Sequence, residues 1–220
     1  IQGTFNILEL ARKHNSEVIF TSTREVYGEM QEKTRLIKET DMGALECFDG
    51  RACYPESKRM AETILMNYYL QYGVNVKNLR IAHSYGPGMN IENDGRIMSD
   101  LIYDVVNKKD IVLKSKGKAK RAFCYITDTI AAILYVLING ETGESYNIAN
   151  ETEEIEINEL ANLLAKLYRV KVRYEIEENS KAYTNFKRVG LDTSKIEKLG
   201  WKPKVSLKEG IQKTVNSFLE

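Results

Sequence analysis

Apolar residues recur every three or four positions early in the chain. Phe5, Leu8 and Ala11, with Ile7 and Leu10 beside them, predict a helix over 4–14 that Asn15 stops. Val18-Ile19-Phe20 is a short unbroken apolar run, the pattern of a strand buried in a parallel sheet. It runs out into Thr21-Ser22-Thr23, and a polar segment follows to about Gly50. A second helix is predicted from Tyr54 to about Tyr72, with Ala61, Ile64, Leu65 and Tyr68 on one face and Gly73 at its end. Val74 to Ala82 alternates apolar and polar residues and predicts the next strand. Helix–strand–helix–strand order of this kind implies right-handed crossovers in a parallel sheet, and hence an α/β fold.

Beyond Gly86-Pro87-Gly88 the pattern changes. A loop through Gly95 leads to a helix of about 97–108, a short strand Ile111-Val112-Leu113, a basic turn over 114–120 and a strand from Arg121 to Ile126. Thr127 or Asp128 is the expected cap of an apolar helix over 129–139, closed by Gly140. Tyr146-Asn147-Ile148 reads as a strand, and Asn158 as the cap of a helix carrying Leu160, Leu163, Leu164 and Leu167. Ser206-Leu207-Lys208-Glu209 is a capping box that opens the last helix, with Leu207, Ile211, Val215 and Phe218 inward. No repeat or low-complexity linker interrupts the chain, so the boundary near residue 86 is a change of architecture rather than a tether.

Tyr54-Pro55-Glu56-Ser57-Lys58 is the candidate centre of chemistry. Four residues apart on a helix, Tyr54 and Lys58 share a face, one turn apart. An ammonium at that spacing stabilises a phenolate, so the Tyr can exchange a proton nearer neutral pH. Thr21 to Gly28 follows one predicted strand and Arg80 to Gly88 covers the end of the next. In open parallel sheets ligands bind at the carboxyl ends of strands. Thr23 and Tyr54 are thereby candidates to hold and deprotonate one substrate hydroxyl.

Composition narrows the class. With 32 basic and 31 acidic residues the formal charge is +1, so no global field recruits nucleic acid or an anionic membrane. No apolar run is long enough for a bilayer span. Cys47, Cys53 and Cys124 are odd in number and lack C-x-x-C spacing, and only His14 and His83 are present, so neither a disulfide framework nor a metal site is expected. Cys124, between Phe123 and Tyr125, reads as a core thiol. The basic run Lys114 to Arg121 reads as a solvated hairpin turn, because it lacks the interleaved aromatics of a nucleic-acid surface. Reduced thiols fit a cytoplasmic setting.

Several ordered segments carry a family resemblance. They are Gly3-Thr4-Phe5-Asn6-Ile7-Leu8-Glu9, Thr21 to Gly28, Tyr54 to Glu62, Arg121-Ala122-Phe123-Cys124-Tyr125-Ile126-Thr127-Asp128, Gly143 to Ile148 and Leu199-Gly200-Trp201-Lys202-Pro203. They resemble the G-T-x-N-x-L-E, S-T-S-E-V-Y-G, Y-x-x-S-K-x-x-x-E, R-x-F-x-Y-V-x-D, G-E-x-Y-N-I and L-G-W-x-P motifs of the extended short-chain dehydrogenases, the NAD-dependent nucleotide-sugar epimerase, dehydratase and decarboxylase family. The resemblance implies the later half of a Rossmann-type doubly wound sheet over 1–86, with 127–149 packing back on it. A small mixed substrate-binding lobe over 87–126 and 150–220 completes the expected layout.

It further implies oxidation of a sugar at C4 by bound NAD, with Tyr54 as base, Lys58 holding the cofactor ribose and lowering the Tyr pKa, and Thr23 on the same hydroxyl. Thr21, Ser22, Ile81 and His83 join Tyr54 and Lys58 as expected cofactor contacts. Arg24, His83, Arg121 and Arg188 are the expected substrate contacts; an Arg fork suits a diphosphate. A homodimer is the usual assembly.

Glu25 bears on the reaction class. In the family the epimerases usually carry a small or hydroxyl residue here, whereas dehydratases and decarboxylases carry Glu. In the 4,6-dehydratases an Asp precedes that Glu and acts as general acid; here the position is Arg24, which cannot donate a proton at physiological pH. The resemblance therefore favours decarboxylation of a UDP-glucuronate-type substrate over a 4,6-dehydratase or 4-epimerase reaction. The family's initial strand, G-x-x-G-x-x-G turn and acidic ribose contact have no counterpart in these 220 residues. Weak NAD binding and an exposed apolar edge at Val18–Phe20 are expected of this stretch. A reading of another class is an inactive remnant that binds a nucleotide sugar or a partner subunit.

Overall fold

The computed structural model describes residues 1–31, 35–176 and 190–219. The chain opens with α1 (Gln2–His14), β1 (Val18–Thr23), α2 (Cys53–Tyr72), β2 (Val76–Ile81) and β3 (Ser84–Tyr85). It continues through α3 (Ile97–Val106), β4 (Ile111–Leu113), β5 (Lys120–Ala122), β6 (Cys124–Tyr125) and α4 (Ile126–Asn139). The last elements are β7 (Glu144–Ile148), β8 (Glu154–Glu156), α5 (Ile157–Tyr168), β9 (Val172–Tyr174), α6 (Ser194–Glu197) and α7 (Leu207–Asn216). The fold is α/β. No helix among the described residues is long and apolar enough to cross a membrane.

The chain divides into two compact units, one of Ile1–Ala82, Thr129–Ala149 and Val189–Lys202, the other of His83–Asp128, Asn150–Arg188 and Pro203–Glu220. The first is built on a three-stranded parallel sheet in the order β1-β2-β7. The predicted apolar faces of the two opening helices meet there: Leu8 and Ala11 of α1 pack with Ile64, Leu65 and Tyr68 of α2 and with Val74 and Val76. Gly73, at φ 66, closes α2 with backbone bonds to Tyr68 and Tyr69. β1 is an edge strand of this sheet, as the sequence suggests, while the Val18 and Phe20 side chains are half-buried against this cluster.

The alternation along β2 does not separate a core face from a wet one. Val76 to Arg80 are all buried, and each polar residue among them has a partner. Lys77 pairs with Glu17 at 2.6 Å and donates to the Leu137 carbonyl, Asn78 donates to Ser145 Oγ, and Arg80 pairs with Glu62 at 2.6 Å. A central strand covered on both faces buries every side chain, so its polar residues must bring partners with them.

The segment 190–202 lies with the first unit, whereas the sequence placed all of 150–220 in the second lobe. Leu191 is fully buried with Val26, Tyr27, Ile37, Ala82 and Ala149, and Asn147 Nδ2 donates to the carbonyls of Ile37 and Asp192. These contacts join residues far apart in sequence, beyond the reach of local periodicity.

The second unit has its own core, in which Tyr85, Phe123 and Tyr125 pack with Leu101, Ile102, Leu160, Leu164 and Ile211. Its strands are short pairs, β3-β6 and β4-β9 parallel and β5-β8 antiparallel. The strand predicted over 121–126 is thus two strands with different partners, broken at Phe123. Two predicted caps are replaced. Glu156 and Glu159 form the capping box of α5, leaving Asn158 inside the helix. Helix α4 starts at Ile126, and the Asp128 carboxylate instead accepts from the backbone N–H groups of Lys204 and Val205 at 2.9 Å. Ser206 caps α7 as expected, accepting from Glu209 N.

Candidate active site

The carboxyl end of β1, the turn that follows it and the first turns of α2 lie together in the first unit. Thr23 is the cap of a short 3-10 turn over Arg24–Tyr27: its Oγ1 accepts from Glu25 N at 3.3 Å. Gly28 ends that turn at φ 64, and a Cβ there would sit 2.2 Å from the Ala44 carbonyl oxygen, so only glycine fits. Arg59 of α2 braces the turn from the helix side, donating to the carbonyls of Val26 at 2.6 Å and Gly43 at 2.8 Å.

Lys58 is the direct link between helix and strand. Its Nζ donates to the Thr21 carbonyl at 2.7 Å and lies over the Phe20 ring, 4.6 Å from the centroid. Burial pushes its pKa down, and the nearby Glu62 carboxylate opposes that shift. One turn earlier, in the first turn of α2, Tyr54 is 46% exposed, and its phenol makes no hydrogen bond among the described residues. Thr23 is buried, Glu25 exposed and Arg24 half-buried. Ile81, the last residue of β2, stands opposite Thr23 in register. The structure therefore brings Thr21, Ser22, Thr23, Arg24, Glu25, Tyr54, Lys58 and Ile81 to one end of the sheet in the first unit.

The remaining expected contacts are not among these first-unit residues. His83 and Arg121 belong to the second unit. His83 has left-handed backbone geometry at φ 43 and packs by its ring 5.8 Å from Phe123. Arg121, on β5, donates to the Lys120 carbonyl at 2.8 Å. Arg188 falls outside the described residues. Among the described residues no cluster of His, Cys, Asp or Glu is suited to hold a metal ion.

Beneath the strand end lies a buried polar network that sequence reasoning did not single out. Glu62 and Arg80 form its bidentate centre, with Nε to Oε1 at 3.1 Å and Nη2 to Oε2 at 2.6 Å. Burial pushes the Glu62 carboxyl up, but hydrogen bonds and charge from Arg80, with help from Ser22, hold it below the usual carboxylate range. Burial opposes the charge on Arg80, and its bonds to Glu62 and Tyr27 together with their charges outweigh it. Tyr27 is pushed up to about 12 by burial, against the nearby Arg80 charge. Two signals were available. Glu62 lies four residues beyond Lys58 on the same helix, and Arg80 is a charge inside an otherwise apolar strand end.

Residues 1–149 match the family described as the NAD dependent epimerase/dehydratase family. UDP-glucuronic acid decarboxylase 6 of Arabidopsis thaliana is 34% identical over 209 residues, 95% of this chain and 59% of the relative. The chain thus spans about six-tenths of the length of that curated relative. Among solved structures, a UDP-glucose 4-epimerase from Thermotoga maritima, crystallised with UDP-glucose, superposes with a TM-score of 0.84 at 26% identity, covering 100% of this chain and 69% of the other. A dTDP-glucose 4,6-dehydratase from Bacillus anthracis in complex with NAD gives 0.81 at 26% identity, covering 99% of this chain and 66% of the other. By its matched residues and by the segments that build the β1 end and α2, the chain belongs to the NAD dependent epimerase/dehydratase family.

Proposed function

We propose that this chain carries the proton-relay part of an NAD-dependent enzyme that modifies a nucleotide-diphosphate sugar through a 4-keto intermediate, with UDP-glucuronate-type decarboxylation as its reaction. The observation that carries this reading is the bond from Lys58 to the Thr21 carbonyl, which ties the Tyr54 helix to the strand end bearing Thr23 and Glu25. NAD, when bound, supplies the hydride acceptor for the sugar's C4 carbon and the hydride that later returns. The residues fit such a group: the Lys58 ammonium has three N–H donors, one of which goes to the Thr21 carbonyl, leaving two for ribose hydroxyls. Tyr54, Thr21, Ser22 and Ile81, with His83, complete the proposed cofactor contacts.

Each side chain then has a defined task. The Tyr54 oxygen takes the proton of the C4 hydroxyl, helped by the Lys58 charge one turn away. Thr23 Oγ1 accepts from Glu25 N, and its O–H donates to the same sugar oxygen in this reading. A ketone at C4 stands β to the carboxylate borne on C5, so the bond to that carboxylate breaks and carbon dioxide leaves. The electron pair left on C5 is held as the C4 enolate, and C5 then takes up a proton from water, a transfer for which Glu25 is the proposed relay. Arg24 pairs with the substrate carboxylate, and Arg121 and Arg188 hold the diphosphate.

Arg24 in place of an acid weighs against the 4,6-dehydratase alternative, and Glu25 against the 4-epimerase. The similarity to solved dehydratase and epimerase structures keeps both as the second reading. A polypeptide of these 220 residues alone is expected to bind NAD weakly, since it contains no G-x-x-G-x-x-G turn. The decisive experiment is incubation of the full-length protein with UDP-glucuronate, UDP-glucose and dTDP-glucose. Carbon dioxide release from the first alone supports decarboxylation. A 4-keto-6-deoxy sugar or a 4-epimer as sole product replaces it with the second reading, and no turnover with binding retained supports the inactive remnant.

A further inference from the structure

Glu62 sits one turn beyond Lys58 on α2 with its side chain only 14% exposed, against 9% for its partner Arg80. Its Oε1 accepts from the Ser22 hydroxyl at 2.5 Å as well as from Arg80 Nε. The same guanidinium donates through Nη1 to the Tyr27 hydroxyl at 3.1 Å and to the Glu39 carbonyl at 2.7 Å. Tyr27 in turn donates to Asn147 Oδ1 at 2.6 Å. Ser22, the neighbour of Thr23, is therefore one end of a hydrogen-bonded chain that crosses β1, α2, β2 and β7.

Two successive residues of β1 are thus held by two side chains one helical turn apart: Lys58 grips the Thr21 carbonyl and Glu62 the Ser22 hydroxyl. A slip of α2 along β1 breaks both bonds together. Stability alone does not call for this arrangement, because apolar residues of similar volume usually stabilise a buried site at least as well as an ion pair. What a bidentate fork adds is a fixed distance and angle.

We propose that Glu62, oriented by Arg80, is a positioning residue that sets the register of α2 against the end of β1 and so the geometry between Tyr54 and Thr23. The catalytic half of this inference rests on the reading of Tyr54 and Thr23 as a proton relay; the register itself does not.

The test compares Ser22→Ala, Glu62→Gln and the double variant in the full-length protein, by steady-state kinetics and by hydrogen exchange of segment 18–27. Ser22→Ala leaves the Glu62–Arg80 pair intact and keeps the comparison meaningful if Glu62→Gln unfolds. Each single change is expected to lower kcat by on the order of tenfold or more with KM within about twofold, since small misplacements of reacting groups act on the chemical step. The double variant is expected to be no slower than the worse single, because both act through one bond. Faster exchange is expected at 21–24 in each. Multiplying effects in the double variant, or an unchanged kcat in Ser22→Ala, overturn the positioning role. If the unmodified protein turns over no nucleotide sugar, the proposed reaction fails instead. Exchange then decides the register alone, and unchanged rates in Ser22→Ala refute it.

Discussion

Lys58 holds the backbone carbonyl of Thr21 at 2.7 Å, so the helix that presents Tyr54 is fastened to the strand that ends in Thr23. The Lys58 ammonium bonds a carbonyl rather than a carboxylate, and its positive charge stands one turn from the phenol. Lys58→Met is therefore expected to lower kcat by at least about a hundredfold, because it removes both the charge and the fastening. Tyr54→Phe removes the proton acceptor alone and is expected to abolish turnover while substrate binding, read by calorimetry, stays within a few-fold. Tyr54→Phe retaining more than a tenth of the activity would remove it from the relay.

In the proposed function the choice of reaction turns on Arg24. If it pairs with a substrate carboxylate, Arg24→Ala weakens binding of a uronate analogue by about tenfold or more and leaves neutral nucleotide sugars unaffected. Equal losses for both classes would make Arg24 a general structural contact.

Tyr27 supplies a pH test of the buried network. Its folded pKa is raised from 10.0 to about 12, so the folded state holds the phenol proton more tightly than the unfolded chain. That contribution is fully present below pH 10.0 and is lost as pH rises through about 12. Tyr27→Phe removes the bonds to Asn147 and Arg80 and is expected to cost about 1–3 kcal/mol at neutral pH. The stability gap between the two proteins, measured by denaturant unfolding, should narrow between pH 10 and 12. A gap constant across that window would show that the phenol proton does not matter.

Helices α1 and α2 leave large apolar side chains in water: Ile7 and Leu10 are each 55% exposed, Met66 41% and Leu70 70%. A surface of this kind is a candidate contact for the homodimer that the family resemblance implies. Leu10→Glu with Leu70→Glu is expected to shift the mass measured by light scattering from dimer to monomer without loss of helical signal. A monomeric unmodified protein would dispose of the dimer reading.

Much of the site was legible from residue order. The Tyr54–Lys58 spacing, the hydroxyl run at the end of β1 and the capping box at Ser206 are local features, and local periodicity reports them faithfully. The expected helices α1, α2 and α7 lie within two or three residues of their observed bounds at their starts, because their apolar stripes and end residues agree. The failures were non-local. The apolar–polar alternation of 74–82 described a strand correctly but concealed that its polar residues are buried, since the partners Glu17, Ser145 and Glu62 come from three other segments. Asn158 and Asp128 looked like caps by position, yet Glu156 with Glu159 takes the first role and the 204–205 backbone claims the Asp128 carboxylate.

By itself, then, the chain's sequence determined the α/β class, the parallel pairing of its first two strands and the spacing that puts Tyr54 and Lys58 one turn apart on a helix, because each follows from periodicity and spacing within one or two elements. Tertiary structure decided that residues 190–202 return to the first unit and that Ser22, Glu62, Arg80, Tyr27 and Asn147 form one hydrogen-bonded chain under the strand end. Buried charges and amides must find partners wherever the fold brings them, and which partners those are depends on contacts across more than a hundred residues that no local pattern encodes.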